Sequence, residues 1–237
     1  MSGAAWLLPA VAWPLPSARF ALGLKEREGE GESVHRYVAH RLVSGLALAF
    51  AVLVAGAAAA GPKVSVKYAY YPVDGSTAVG IMRALHIDGP TVNGEGAYAY
   101  TTSEMSQSGT VHEGKGCSIP RYTIGIAFTI TLPAAQDLPD ARPRVRTAWK
   151  SFYSFVKRHE ETHKSIWIGC ASSMQAKVRA IRAATCDALA TKIESVIARE
   201  QATCHRKHAA FDRSERSRLE AQPLIRQAIK AMEASGQ

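Results

Sequence analysis

The sequence predicts an α+β fold: a small N-terminal β-sheet with one short helix, followed by a long antiparallel helical pair. Two observations carry this. Apolar residues alternate strictly with polar or small ones from Val64 to Tyr70 and from Tyr122 to Leu132, the period of a strand. From about Arg144 almost to the end, apolar residues recur every three or four positions, the period of a helix. There are no internal repeats.

The first sixty residues stand apart. Arg36 to Arg41 is a basic stretch with His35 and His40 interspersed, Leu42 to Ala55 is a short apolar run, and Ala58-Ala59-Ala60 ends it with small residues. This is the pattern of a secretory signal over residues 34–60, with cleavage expected before Gly61 and a periplasmic or secreted product. The run is too short for a comfortable transmembrane span, so no stable span is expected in the mature chain. Residues 1–33, rich in Pro, Gly and Glu, do not fit ahead of such a signal. They read as a mis-called N-terminal extension, with translation starting near Val34.

Residues 61–237 then form one domain. Five of the 29 Lys and Arg and four of the 20 Asp and Glu precede Gly61, which leaves the domain at net +8. That balance favours anionic partners such as envelope polymers. It is spread along the helices without interleaved aromatics, so nucleic acid is not an expected partner. All four cysteines (Cys117, Cys170, Cys186, Cys204) fall in this part with no CxxC pair, and read as two disulfides with three possible connectivities.

Element by element, Val64, Val66, Tyr68 and Tyr70 against Ser65, Lys67 and Ala69 give a half-buried strand, ended by Pro72 and the Asp74-Gly75 turn. Ser76 or Asp74 can cap a short helix with Val79, Met82 and Leu85 on one face, stopped at Gly89-Pro90. Residues 96–105 make a weaker strand, and Gly109 to Gly116 a loop. In the strongest strand, Tyr122, Ile124, Ile126, Phe128, Ile130 and Leu132 share a face. The small opposite face (Thr123, Gly125, Ala127, Thr129, Thr131) leads us to expect close cover there. Pro133 to Pro143 connects to the helices. One helix running through residue 181 would be roughly 60 Å long, so a break is expected near Gly169 to Ser173. A second long helix starts near Cys186, with Leu189, Ile193, Val196, Ile197, Glu200, Cys204 and Phe211 inward. A C-terminal helical tail occupies 219–237, with a helix from Pro223 to Met232.

The first long helix carries His159-Glu160-Glu161-Thr162-His163, an H-E-x-x-H pattern. Residues four apart on a helix stand one above the other, so His159 and His163 can share a zinc ion, with Glu160 beside it as a general base. Trp149, Phe152, Val156, His159, His163, Ile166 and Cys170 form one stripe, which turns both imidazoles inward. A catalytic zinc needs a third protein ligand. Glu200, His205, His208 and Asp212 are the candidates, and the pattern does not rank them. His205 and His208 lie in basic surroundings that suit solvent, and Glu200 equally suits a carboxylate paired with Lys or Arg. Asp212 could instead orient a histidine from behind. No G-x-S-x-G, P-loop or dinucleotide motif competes.

Several patterns in one order add to this: Tyr71-Pro-Val-Asp-Gly-Ser-Thr, His86-Ile-Asp-Gly-Pro, Gly116-Cys117, a strand ending Thr131-Leu-Pro, Trp149, the His159 to His163 motif, Cys186 and Phe211-Asp212. In this order the chain resembles the DUF922 family over nearly all of 63–218, a family of bacterial exported proteins expected to be zinc-dependent proteases. The resemblance implies a zincin-like fold, Zn2+ on His159 and His163, Glu160 as the base, and a peptide or protein substrate. Family members typically close with Tyr-Asp-x-x-Thr-x-His-Gly. Here Phe211 replaces the Tyr, and Ser217-Arg218 stand in place of His-Gly. The reading is therefore an exported zinc metallopeptidase, with a non-catalytic exported envelope binding protein on the same zincin-like scaffold, its metal site degenerate, as the alternative.

Overall fold

Ile124, Ile126, Phe128, Ile130 and Leu132 give one strand a continuous apolar face, and that strand becomes the centre of the main sheet. The computed structural model describes residues 61–92 and 94–236; the expected extension and signal segment, 1–60, lie outside the described residues. In chain order the elements are β1 (Lys63–Val73), α1 (Ala78–Asp88), β2 (Thr91–Val92), β3 (Glu95–Gly96), β4 (Tyr100–Ser108), β5 (His112–Glu113), β6 (Cys117–Ser118) and β7 (Thr123–Ala135). There follow α2 (Pro143–Ala180), β8 (Arg182–Ala183), α3 (Cys186–Glu220) and α4 (Pro223–Ala234).

The main sheet has the order β1-β7-β4, with β7 parallel to β1 and antiparallel to β4. Pairing with β4 stops at Thr131, so the end of β7 keeps only β1 as a neighbour. Pro133, expected to open the connector, is therefore tolerated inside the strand, since a bare side does not need its missing N–H. The apolar face of β7 packs under α2, and α2 lies against α3. A small sheet of order β5-β6-β8 closes the turn between those two helices.

Four expectations change. The apolar side chains of β1 are not half-buried: Val64, Val66, Tyr68 and Tyr70 are 41%, 40%, 37% and 59% exposed. Each shares a row with a buried β7 residue (Ile126, Phe128, Ile130, Leu132), but α2 lies over β7 and β4, so the edge strand overhangs. The small face of β7 is likewise exposed or half-buried, without the close cover expected. The short helix is capped by Thr77, whose Oγ1 accepts from Gly80 N at 3.1 Å, and it buries Ala78, Ile81, Ala84 and Leu85.

The fourth change is α2, which runs through Gly169 to Ser173 without a break, 38 residues or about 57 Å. Gly169 lies on the solvent side, where an added Cβ would meet nothing within 4 Å. Its helix penalty of about 1 kcal/mol is small beside the burial of Trp167, Cys170, Ala171, Met174 and Val178 around it. Gln175 Oε1 also accepts from Ile124 N at 2.9 Å, and Arg179 Nε donates to Tyr122 O at 2.7 Å, fixing the far half of α2 to β7.

Two disulfides settle the connectivity. Cys117–Cys186 ties β6 to the start of α3, and Cys170–Cys204 joins α2 to α3. Among the described residues no helix is long and apolar enough to cross a membrane.

Gly169→Ala should raise stability by roughly 1 kcal/mol, seen as a rise of about 2–4 °C in Tm. Replacing Cys170 and Cys204 together by Ala should cost about 2–4 kcal/mol, read as a lower urea midpoint at an m-value that reports the more open denatured chain.

Candidate metal centre

Two pairs of residues, each four apart, face one another where α2 and α3 pack. His159 and His163 stand on α2; His208 and Asp212 stand on α3. Three of the four meet at one point. His163 Nε2 lies 3.0 Å from His159 Nε2 and 2.9 Å from Asp212 Oδ1, and His159 Nε2 lies 3.3 Å from the same oxygen. The fourth stands behind: His208 Nδ1 is 2.8 Å from His163 Nδ1, the opposite side of that ring.

The surroundings are apolar. His159 and His163 are 2% and 1% exposed. Phe211 stacks on His159 with ring centroids 4.7 Å apart and presents its edge to His163 at 5.1 Å. Phe155 lies on the far side of His159 at 6.2 Å, and Trp167 lies against His208 at 4.5 Å. The inward stripe expected on α2 is buried except for Ile166, which is half-buried.

Glu160 leaves this stripe and points at the sheet. Its Oε2 accepts from Thr101 Oγ1 at 2.8 Å, and Thr101 is wholly buried on β4. Burial pushes the Glu160 carboxyl up to about 7; the charge of His163 and the Thr101 hydroxyl pull it down, and the neighbouring Asp212 adds to the rise. Asp212 goes the other way. Burial alone would raise it, but the neighbouring imidazoles of His159 and His163 together hold it below the usual carboxylate range. Burial, then the neighbouring His163, lowers His208 to about 3, so its imidazole stays neutral.

Among the residues expected from sequence, Asp212 alone of the four further candidates joins the two histidines. Glu200 is drawn away: Ser173 Oγ donates to it at 2.7 Å, and Lys177 pairs with its other oxygen, the paired carboxylate considered above. His205 is exposed, its ring edge-on to Trp167 at 6.2 Å. His208, placed by its basic neighbours at the surface, is instead 1% exposed, because it lies one turn beyond the buried Cys204 on the same helical face. Thr101 was missed altogether; a lone Thr in a weak strand carries no signal, since only the pairing of β4 with β7 brings it under the motif.

The donor set fits zinc. Zinc–ligand bonds of 2.0–2.1 Å in a tetrahedron put neighbouring ligand atoms about 3.3 Å apart, and the three distances here run from 2.9 to 3.3 Å. Two imidazole nitrogens and a carboxylate oxygen are ligands zinc accepts. Both Asp212 oxygens lack a well-formed hydrogen bond among the described residues, a cost that a cation on Asp212 would relieve. A second grouping, Glu113 with Cys117 and Cys186, does not fit, because both sulfurs are committed to one disulfide.

No curated protein and no solved structure matches the chain. One family model does, over residues 68–218, and that span holds β4, β7, α2, most of β1 and α3, and all of His159, Glu160, His163 and Asp212. By that match the chain belongs to the family described as bacterial protein of unknown function, DUF922.

Proposed function

We propose that the chain is an exported zinc-dependent metallopeptidase, with zinc held by His159, His163 and Asp212 and with Glu160 as general base. The supporting observation is the convergence of those three ligand atoms beside a buried glutamic acid held by Thr101. Zinc held by these residues would supply a Lewis acid for the attacking water and the scissile carbonyl. The rest falls to the chain. Glu160 takes the proton of the attacking water and returns it to the leaving amine. Asp212, kept ionised by its two histidines, offsets part of the ion's charge. Export rests on the 34–60 segment and on the two disulfides, which persist in oxidising compartments.

A second reading has its own observation. His159, Glu160 and His163 are 2%, 3% and 1% exposed, and Phe211 stacks over the first. Closed sites hold structural zinc; open ones catalyse. On this reading the centre staples α2 to α3 in a non-catalytic exported binding protein, whose net +8 surface meets anionic envelope polymers.

Metal analysis of the oxidised protein comes first. Near-stoichiometric zinc is expected, lost in both His163→Ala and Asp212→Ala; metal-free protein at the outset would remove both readings of the centre. Glu160→Gln should then keep its zinc while peptide hydrolysis falls at least about 100-fold. Hydrolysis unchanged in that variant rules Glu160 out as the base, and stoichiometric zinc in a wild-type protein inert toward diverse peptide mixtures selects the second reading.

A further inference from the structure

His208 is the one member of the two facing pairs with no part in holding an ion, yet its contact with His163 is the closest on that ring. The Nδ1 atoms are 2.8 Å apart, both rings are 1% exposed, and their planes lie within 25° of each other. Two nitrogens at that distance share one proton: none would leave facing lone pairs, and two would collide. Where that proton belongs decides what His163 can do. If it belongs to His208, neutral His163 carries its own proton on Nε2, aimed at Asp212 Oδ1 2.9 Å away, and has no lone pair for a metal. If it belongs to His163, the Nε2 lone pair faces Asp212 and His159, and His208 is the acceptor.

Ligating histidines usually give their second N–H to a carboxylate or a carbonyl, which fixes tautomer and ring orientation. Here the imidazole of His208 fills that position. Its own proton then lies on Nε2, which has no hydrogen-bond partner among the described residues, on a ring packed against the indole of Trp167. An N–H beside an aromatic face is tolerated there.

We propose that His208 is a positioning residue of the metal centre: it accepts the Nδ1–H of His163 and so holds that ring with Nε2 free and turned toward His159 and Asp212. This rests on the zinc reading above. It also explains why His208 cannot itself be the third ligand, since it meets the wrong nitrogen of His163.

The test compares zinc affinity, by competition with a chromogenic chelator, in wild type, His208→Phe and His208→Asn. Phe keeps a ring against Trp167 but removes the acceptor; Asn puts an amide oxygen near the Nδ1 position. Affinity should fall about 10- to 100-fold in His208→Phe and largely recover in His208→Asn. Wild-type affinity in His208→Phe overturns the proposal and leaves the zinc reading intact, whereas absence of zinc uptake by wild type removes both. Imidazole 15N shifts in zinc-loaded wild type give an answer that needs no variant to fold. Protons on His163 Nδ1 and His208 Nε2 support the assignment, and a proton on His208 Nδ1 overturns it.

Discussion

How far α2 and α3 slide along each other decides which residues meet at the candidate centre. Packed antiparallel helices can slip by a turn at modest cost, since ridges refill grooves at each repeat. The Cys170–Cys204 bond removes that freedom. From Cys170, His163 lies seven residues back along α2; from Cys204, Asp212 lies eight residues forward along α3. Both steps are about two turns, roughly 10–12 Å, in the same direction in space. The disulfide therefore brings the His159/His163 pair level with the His208/Asp212 pair, and a slip of one turn would replace Asp212 by His208 or by Glu215.

The sheet holds the same motif from the other side. Thr101, Ile130 and Tyr68 form one row across β4, β7 and β1. Thr101 donates to Glu160, and the Tyr68 hydroxyl donates to Glu161, so two successive glutamates of the motif are anchored to the two ends of a single row. Helix geometry alone sends Glu160 off the histidine stripe. What aims its carboxyl is the β4–β7 register, which makes the orientation of the proposed base a property of strand pairing. Lys157 over the Tyr68 ring and Lys164 on Glu161 complete this outer contact, and being at the surface they add little energy.

The apolar faces of α2 and β7 do the larger energetic work. Phe152, Phe155, Val156, Trp167 and Met174 on the helix, and Ile124 to Leu132 on the strand, are almost wholly buried and form two clusters on either side of the histidines. Buried polar groups set between such clusters are costly unless satisfied. His159, His163 and Asp212 satisfy one another only in part, which is the physical reason to read them as a cation site and not as core histidines that happen to meet.

The sequence by itself determined the long strands, the helical second half, the inward face of the motif helix and the H-E-x-x-H pair, because each depends on spacing along one helix or strand. It also narrowed the third ligand to four residues on the second helix. Tertiary structure alone brought one of them, Asp212, to the two histidines, because that meeting needs the register between two helices, and the register needs a disulfide connectivity that four cysteines leave open three ways. The same limit explains the other departures. Exposure of the β1 face depends on where α2 lies across the sheet; continuity of α2 past Gly169 depends on what the rest of that turn buries; and Thr101 reaches Glu160 only through strand pairing. Periodicity is local and was legible. Juxtaposition is long-range, and the packed chain set it.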